Sequence, residues 1–195
     1  MIDLELQTPL SEREVRSLKV GDRISISGTV YSMRDQATLR LLRMLRKDEE
    51  PPVDISGSVV FHAGPAVDLA RNEIISIGPT TSARMNSITP ELIRRLGIRA
   101  VLGKGGMDNA VLKQLTETGC IYASAIGGCS TLYTRSVTEL KRIVWGEMGP
   151  EAIYELEVER FAPLVVTMDS SGNSLHDEIE RNVEGVLSSM NAPGD

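Results

Sequence analysis

The sequence predicts an α/β fold in a single domain, with a central sheet that is partly parallel. Two observations predict it. The middle of the chain alternates short apolar runs with amphipathic stretches, strand–helix–strand–helix–strand, as parallel strands joined by crossover helices do. The flanking segments instead alternate apolar and polar residues with period two, which implies a second, smaller β layer. A third feature sets the core chemistry. Only 4% of the 195 residues are aromatic, so the interior must be packed from Ile, Val, Leu and Ala.

The elements follow in order. "LSEREVRSL" opens with Ser11 three residues before Glu14, a capping-box pattern for a short helix. "DRISISGTVYS" places Ile24, Ile26, Gly28 and Val30 on one face of a strand. "RDQATLRLLRMLRK" has Ala37, Leu41, Leu42 and Leu45 at helical spacing, with a basic opposite face, and "DEEPP" stops it. "GSVVFHAGP" and "EIISIGP" read as buried strands that break at Gly-Pro turns. "TPELIRRLG" predicts a helix capped by Thr89, with Pro90 at its first helical position and Gly97 closing it. "IRAVLGKGG" is a strand ending in glycines. "MDNAVLKQLTETG" is a helix capped by Asp108 and closed by Gly119. "CIYASAIGG" reads as a strand and "SVTELKRIV" as a helix. "AIYELEVERFAPLVVTMDSSGNSL" alternates well enough for two strands, with Pro163 keeping one near an edge. "SLHDEIERNVEGVLSSM" is a closing helix with Ile179, Val183, Val186 and Leu187 inward. The ordered core is expected over about residues 10–187, with 188–195 a loose tail.

Composition excludes several function classes. A net charge of -6 argues against a general nucleic-acid binder, which needs a basic surface to meet phosphates. No apolar run is long enough to cross a bilayer. The acidic start "MIDLELQTPLSEREV" lacks an apolar signal core, so a cytoplasmic protein is expected. Two cysteines, Cys120 and Cys129, and two histidines, His62 and His176, are too few for an iron–sulfur cluster or a self-contained zinc site. The chain is expected to bind no metal by itself. His62 reads as a residue that packs or bonds locally at a strand end, and His176 as a solvated helix residue.

Ligands in α/β sheets collect beyond the carboxyl ends of parallel strands. Three turns fit that position: "GPTTSAR" (78–84), "GKGGMDN" (103–109) and "GGCST" (127–131). Each is rich in glycine and hydroxyl groups and leads into a helix. Two carry a cation, Arg84 and Lys104, and Arg34 lies at another strand-to-helix junction, followed by Asp35. Arginine forks and a lysine point charge beside free backbone amides suit a carboxylate or phosphate. Glycine-ended strands also occur in any α/β fold, Thr80 or Thr81 also suits a simple cap, and Arg34 with Asp35 also suits a surface pair. "GKGG" lacks the Lys-Ser/Thr pair of a phosphate-binding P-loop, which argues against an ATPase.

Six stretches occur here in one order: "SGTVYSMRDQA", "FHAGPAV", "GPTTSARMN", "GKGGM", "YASAIGGC" and "WGEMGPEAIYELEVERF". Together they resemble the C-terminal domain, or separate beta subunit, of class I iron–sulfur fumarate hydratases and L-tartrate dehydratases, over about Leu10 to Val186. The resemblance implies a swivelling β/β/α domain. It implies a partner alpha subunit whose cysteines hold a [4Fe–4S] cluster, a small dicarboxylate substrate, and an assembly that is a dimer of alpha–beta pairs. It places substrate-binding roles on Arg34, Arg84 and Lys104 and proton transfer on Thr80. Gly78, Thr81, Gly103 and Gly105 become the supporting loops. The implied reaction is reversible hydration of fumarate to L-malate. Dehydration of L-tartrate or a related hydroxy acid, or non-catalytic binding of a small anion, are the alternatives. One departure stands out. Many members continue the Arg-Asp pair as "RDAAH", whereas Thr38 takes the histidine position here. An apolar, partner-facing surface is expected around the three glycine loops.

Overall fold

The computed structural model describes residues 4–190. Strand β1 (Leu4–Gln7) leads to helix α1 (Glu12–Ser17), then β2 (Arg23–Met33), α2 (Asp35–Leu45) and β3 (Val59–His62). A hairpin of β4 (Ala66–Asp68) and β5 (Glu73–Ser76) follows, then a 3-10 turn over Ser82–Met85 and α3 (Thr89–Leu96). Next come β6 (Ala100–Gly103), α4 (Asn109–Thr118), β7 (Ile121–Ala125), α5 (Ser130–Ser136) and β8 (Val137–Val144). A 3-10 segment over Gly146–Glu151, the long β9 (Ile153–Met168) and α6 (Leu175–Met190) complete the described chain.

The central sheet is mixed. β1, β2, β3, β6 and β7 run parallel to one another, and β9 runs antiparallel to β2, β7 and β8. Because β9 pairs with both β2 and β7, the series β2–β3–β6–β7–β9 closes on itself. Strand alternation then sorts the side chains into two sets. Ile24, Ile26, Val59, Phe61, Ala100, Leu102, Ile121, Ala123, Leu156 and Phe161 fill the enclosed side. There Phe61, Tyr133 and Phe161 stack at centroid separations of 5.0–5.9 Å. Val60, Val101, Tyr122 and Met168 face outward, where α2, α3 and α4 cover them with Leu41, Ile93 and Leu115. A small separate sheet, β4 with β5, packs against α5 and β8. The expected fold class, α/β with a partly parallel sheet flanked by helices and a smaller β layer, is the one observed.

The local punctuation reads as expected in several places. Ser11 and Glu14 form a reciprocal capping box. Asp108 accepts from Val111 N at 3.0 Å, and Gly97 and Gly119 end their helices in the left-handed region.

Six expectations need correction. "SVTELKRIV" is strand β8, not a helix. Glu, Leu, Lys and Arg favour helices in isolation, but here Lys141 and Arg142 pair across the ladder with Glu157 and Glu155 of β9. Cross-strand pairs and edge position outweigh local propensity. The segment 153–168 is one strand rather than two, and Pro163 is not at an edge. Pro163 falls between the pairs Phe161↔Ile26 and Leu164↔Ile24, where the register shifts; a bulge spares it the ladder hydrogen bond that proline cannot make. β5 belongs to the half-exposed hairpin and not to the buried sheet. Thr89 is not the cap of α3. Its hydroxyl donates back to Met85 O at 2.8 Å, and Ile88 holds the cap position.

Finally, the apolar stripe of α6 does not point inward. Ile179, Val183, Val186 and Leu187 are each about half exposed. α6 also runs to Met190, into the expected tail, and residues 191–195 lie outside the described part.

Candidate active site

The parallel strands β2, β3, β6 and β7 all end on one rim, and the segments that leave them carry the chemistry. Arg34 follows β2 directly, Lys104 follows β6, and Gly127 lies just beyond β7. The turn holding Thr80 and Arg84 follows β5, so its place on the rim is not given by strand order. Backbone pairing puts it there. Thr80 N donates to His62 O at 2.8 Å, Lys104 N to Thr80 O at 3.2 Å, and Ser82 N to Lys104 O at 3.2 Å. Residues 79–82 are thus laid as an extra strand segment between the ends of β3 and β6, with bridges Ala63↔Pro79 and Thr81↔Lys104.

The third loop joins the same cluster. A Cβ on Gly127 would stand 3.4 Å from Lys104 Cδ, and one on Gly78 would stand 3.1 Å from Ser130 Cβ. All three glycine loops therefore meet on the rim, and Gly78, Thr81, Gly103 and Gly105 form its backbone. Gly103 has a stricter reason to be glycine: a Cβ there would overlap Ser82 Oγ. Gly105 has a positive φ of 74° with open space around it, a conformation glycine adopts without strain.

The two arginines are held by carboxylates. Arg84 Nη2 donates both to Asp35 Oδ2 and to Thr80 Oγ1, each at 2.9 Å. Asp35 is the first residue of α2, so the Arg-Asp pair of the strand–helix junction is split: Asp35 turns to Arg84, and Arg34 turns away to another partner. The Nε of Arg34, itself buried, faces Glu151 Oε1 at 3.0 Å. The other oxygen of Glu151 accepts from Gln36 N at 3.0 Å and so ties off the first turn of α2. Arg34 also needs Gly64, since a Cβ there would come within 2.5 Å of its Cδ. Thr38, at the position where a histidine was noted as common, is buried and bonds back to Arg34 O and Asp35 O at 3.0 and 2.9 Å. Sequence reasoning missed Glu151 as a member of this cluster. It lies 117 positions beyond Arg34, and only its place in "WGEMGPEAIYELEVERF" singled it out.

The cluster is open on one side. The side chains of Arg84, Arg34 and Asp35 are 46%, 30% and 29% exposed, and Gly105, Gly127 and Gly128 are exposed as well. Some apolar side chains are left uncovered: Ile126, next to Gly127 on the rim, Leu132 on α5 and Ile75 on β5. Beneath the rim the chemistry is buried. His62 is 2% exposed, and burial lowers its pKa to about 4, with Asp35 pulling weakly the other way. His176, expected to be solvated, instead lays its ring beside Gly106; a Cβ there would meet His176 Cδ2 at 2.9 Å.

The thiols do not fit an iron–sulfur cluster. Cys120 is fully buried on the outward side of the sheet, where burial raises its pKa, and Cys129 packs against the enclosed side. Among the described residues no three His, Cys, Asp or Glu side chains come together as metal ligands. No described helix is long and apolar enough to cross a membrane.

Comparison with known proteins matches this architecture to one family. Residues 1–179 match the profile described as Fumarase C-terminus. A chain of Methanocaldococcus jannaschii, provisionally named L(+)-tartrate dehydratase subunit beta, is 41% identical over 93% of this chain and 95% of its own. The L(+)-tartrate dehydratase subunit beta of Escherichia coli K12 is 38% identical over 87% of this chain and 85% of its own. A provisionally named class I fumarate hydratase of Geobacillus stearothermophilus is 39% identical over 97% of this chain, which spans only 37% of that longer protein. The chain belongs to the Fumarase C-terminus family.

Proposed function

We propose that this chain is the beta subunit of a hydro-lyase that adds water to, or removes it from, a four-carbon dicarboxylate. The observation that carries the reading is the pairing of Arg84 with Thr80 and Asp35 on the rim, with Lys104 in the adjoining ladder. Two carboxylates on a short substrate need cations at both ends. Arg84 and Lys104 lie on one side of the rim, and Arg34 enters from the end of β2. Their charges neutralise the substrate and also stabilise the negative charge that grows on a carboxylate as the neighbouring carbon loses its proton.

Thr80 is the proton-transfer group of this reading. In hydration a proton goes to one carbon of the double bond while hydroxide adds to the other; dehydration runs the same steps backwards. A threonine alkoxide is costly at neutral pH. The Arg84 Nη2–H directed at Thr80 Oγ1 stabilises that alkoxide, and the cation nearby lowers the cost further. Asp35 holds the guanidinium at the angle that allows this.

The oxygen chemistry falls to a partner alpha subunit. The [4Fe–4S] cluster implied by the sequence resemblance is assigned to that chain in this reading; among the described residues here no group of three His, Cys, Asp or Glu could hold a metal. The open rim, with the uncovered Ile126 next to Gly127, is the face such a partner would close. Pairs of alpha and beta chains dimerising, in the cytoplasm, complete the reading. Fumarate is the substrate first expected. L-tartrate is a second reading that one observation favours: the relatives of this chain's own length carry tartrate dehydratase names. The test is co-purification of the chain with its partner, followed by assays on fumarate, L-malate and L-tartrate. A stable complex with iron that turns over none of these would overturn the proposal.

A further inference from the structure

Three polar side chains lie buried directly under the Thr80–Arg84 turn, and the assignment above uses none of them. His62 ends β3, Ser82 sits at the middle of the turn, and Tyr122 rises from β7. Their relative exposures are 2%, 0% and 0%. Tyr122 donates its hydroxyl proton to Ser82 Oγ at 3.0 Å, and His62 Nδ1 stands 3.0 Å from the same oxygen. Burial raises the pKa of Tyr122 to about 12, so the tyrosine keeps its proton at working pH.

Ser82 Oγ has one proton and two lone pairs, and one lone pair takes the Tyr122 hydroxyl. The Ser82 proton is assigned to His62 Nδ1, which leaves the neutral imidazole its own proton on Nε2. Burial keeps the ring neutral throughout the neutral range, and Asp35 is the charged group whose field reaches it. His62 therefore grips the turn twice, through its carbonyl to Thr80 N at 2.8 Å and through its ring to Ser82. Gly103 leaves room for this, because any side chain there would fall on Ser82 Oγ.

We infer that His62, Ser82 and Tyr122 are positioning residues that set the location of the Thr80 hydroxyl through a fixed chain Tyr122–Ser82–His62. The inference rests on Thr80 being the proton-transfer group. Two of the cations have side-chain anchors outside this hydrogen-bond chain: Arg84 on Asp35 and Arg34 on Glu151. The Thr80 backbone is bonded to His62 O and Lys104 N, so its placement follows His62 and the turn, and its hydroxyl contacts Arg84. A loosened turn then misplaces the proton-transfer group more than it weakens substrate binding, and the effect falls on kcat rather than on KM.

Two experiments test it. In the complex with the cluster-bearing partner, Ser82→Ala and Tyr122→Phe are expected to lower kcat for fumarate or L-tartrate by about 10- to 100-fold, with KM within about twofold. His62→Asn keeps an acceptor at the Nδ1 position and should recover much of the activity that His62→Leu loses. Full kcat in Ser82→Ala, alongside loss in Thr80→Val, would sink this inference and leave the role of Thr80 standing. Full kcat in Thr80→Val would sink both. The second experiment needs no partner or cluster. Nitrogen NMR of the isolated chain, which has two histidines, should show one ring at neutral pH with its proton on Nε2 and Nδ1 bare. That signal should shift in Ser82→Ala. A doubly protonated His62 ring, or one with its proton on Nδ1, would overturn the proton order and the inference with it.

Discussion

Arg84 Nη2 lies 2.9 Å from Asp35 Oδ2, joining residues 49 positions apart. The pair is part-exposed, so its worth to the fold is small, about 0–1 kcal/mol for ion pairs of this kind. Arg84→Ala should therefore leave the melting temperature nearly unchanged. Activity of the complex should fall by roughly 30- to 5,000-fold in kcat/KM, the range for losing a charge-assisted contact to a desolvated carboxylate. Arg84→Lys should restore only part of it, because lysine keeps the charge but lacks the planar guanidinium that grips a carboxylate bidentately. A variant that melts far earlier yet keeps full specific activity would make the turn purely structural.

Thr80 separates hydroxyl chemistry from shape. Thr80→Ser keeps the oxygen that Arg84 contacts and should retain more activity than Thr80→Val, which keeps the volume and loses the oxygen. Equal activities in the two variants would contradict a proton-transfer role.

Glu151 makes two contacts, one to Arg34 Nε and one to Gln36 N. Glu151→Gln should weaken the hold on Arg34 and raise KM for the dicarboxylate by about tenfold, as expected for about 1.4 kcal/mol of lost binding. Glu151→Ala should in addition lower stability by about 1 kcal/mol, as loss of a helix cap does. Steady-state kinetics and thermal melts of the two variants check this, and an unchanged KM in both would remove Glu151 from the site.

The stability of the chain should fall as pH drops from about 6.5 towards 4. Native His62 stays neutral down to about pH 4, whereas an unfolded histidine takes a proton near pH 6.5. Between those values the unfolded state binds the extra proton, so acid favours unfolding, by up to about 3 kcal/mol at the bottom of the window. Replacing His62 by Asn removes the group, and denaturant titrations at several pH values should then show a flatter profile across that window.

Gly103→Ala and Gly105→Ala should differ in kind. The first forces a methyl onto Ser82 Oγ in the buried chain and should cost about 1–3 kcal/mol or more, as overpacking does. The second meets open space and costs only the strain of a left-handed backbone, about 1 kcal/mol. Thermal melts of the isolated chain distinguish them.

The sequence by itself determined most of the local structure. Capping boxes, helix-closing glycines and Gly-Pro breaks act over a few residues, so "LSEREVRSL", "MDNAVLKQLTETG" and the strands at 100–103 and 121–125 were readable directly. It also marked the three glycine loops and the residues Arg34, Thr80, Arg84 and Lys104. What the tertiary structure decided is how these parts pair. "SVTELKRIV" becomes a strand only because β9 offers Glu155 and Glu157 across the ladder. The Thr80 turn reaches the rim although β5, which leads into it, lies outside the central sheet. The partners of the site are equally remote in sequence: Asp35 for Arg84, Glu151 for Arg34, and Tyr122 for Ser82. The physical reason is one of range. Caps and turns are fixed by neighbours along the chain, whereas ladders, ion pairs and buried hydrogen-bond chains depend on which distant segments the closed sheet brings within about 3 Å of each other.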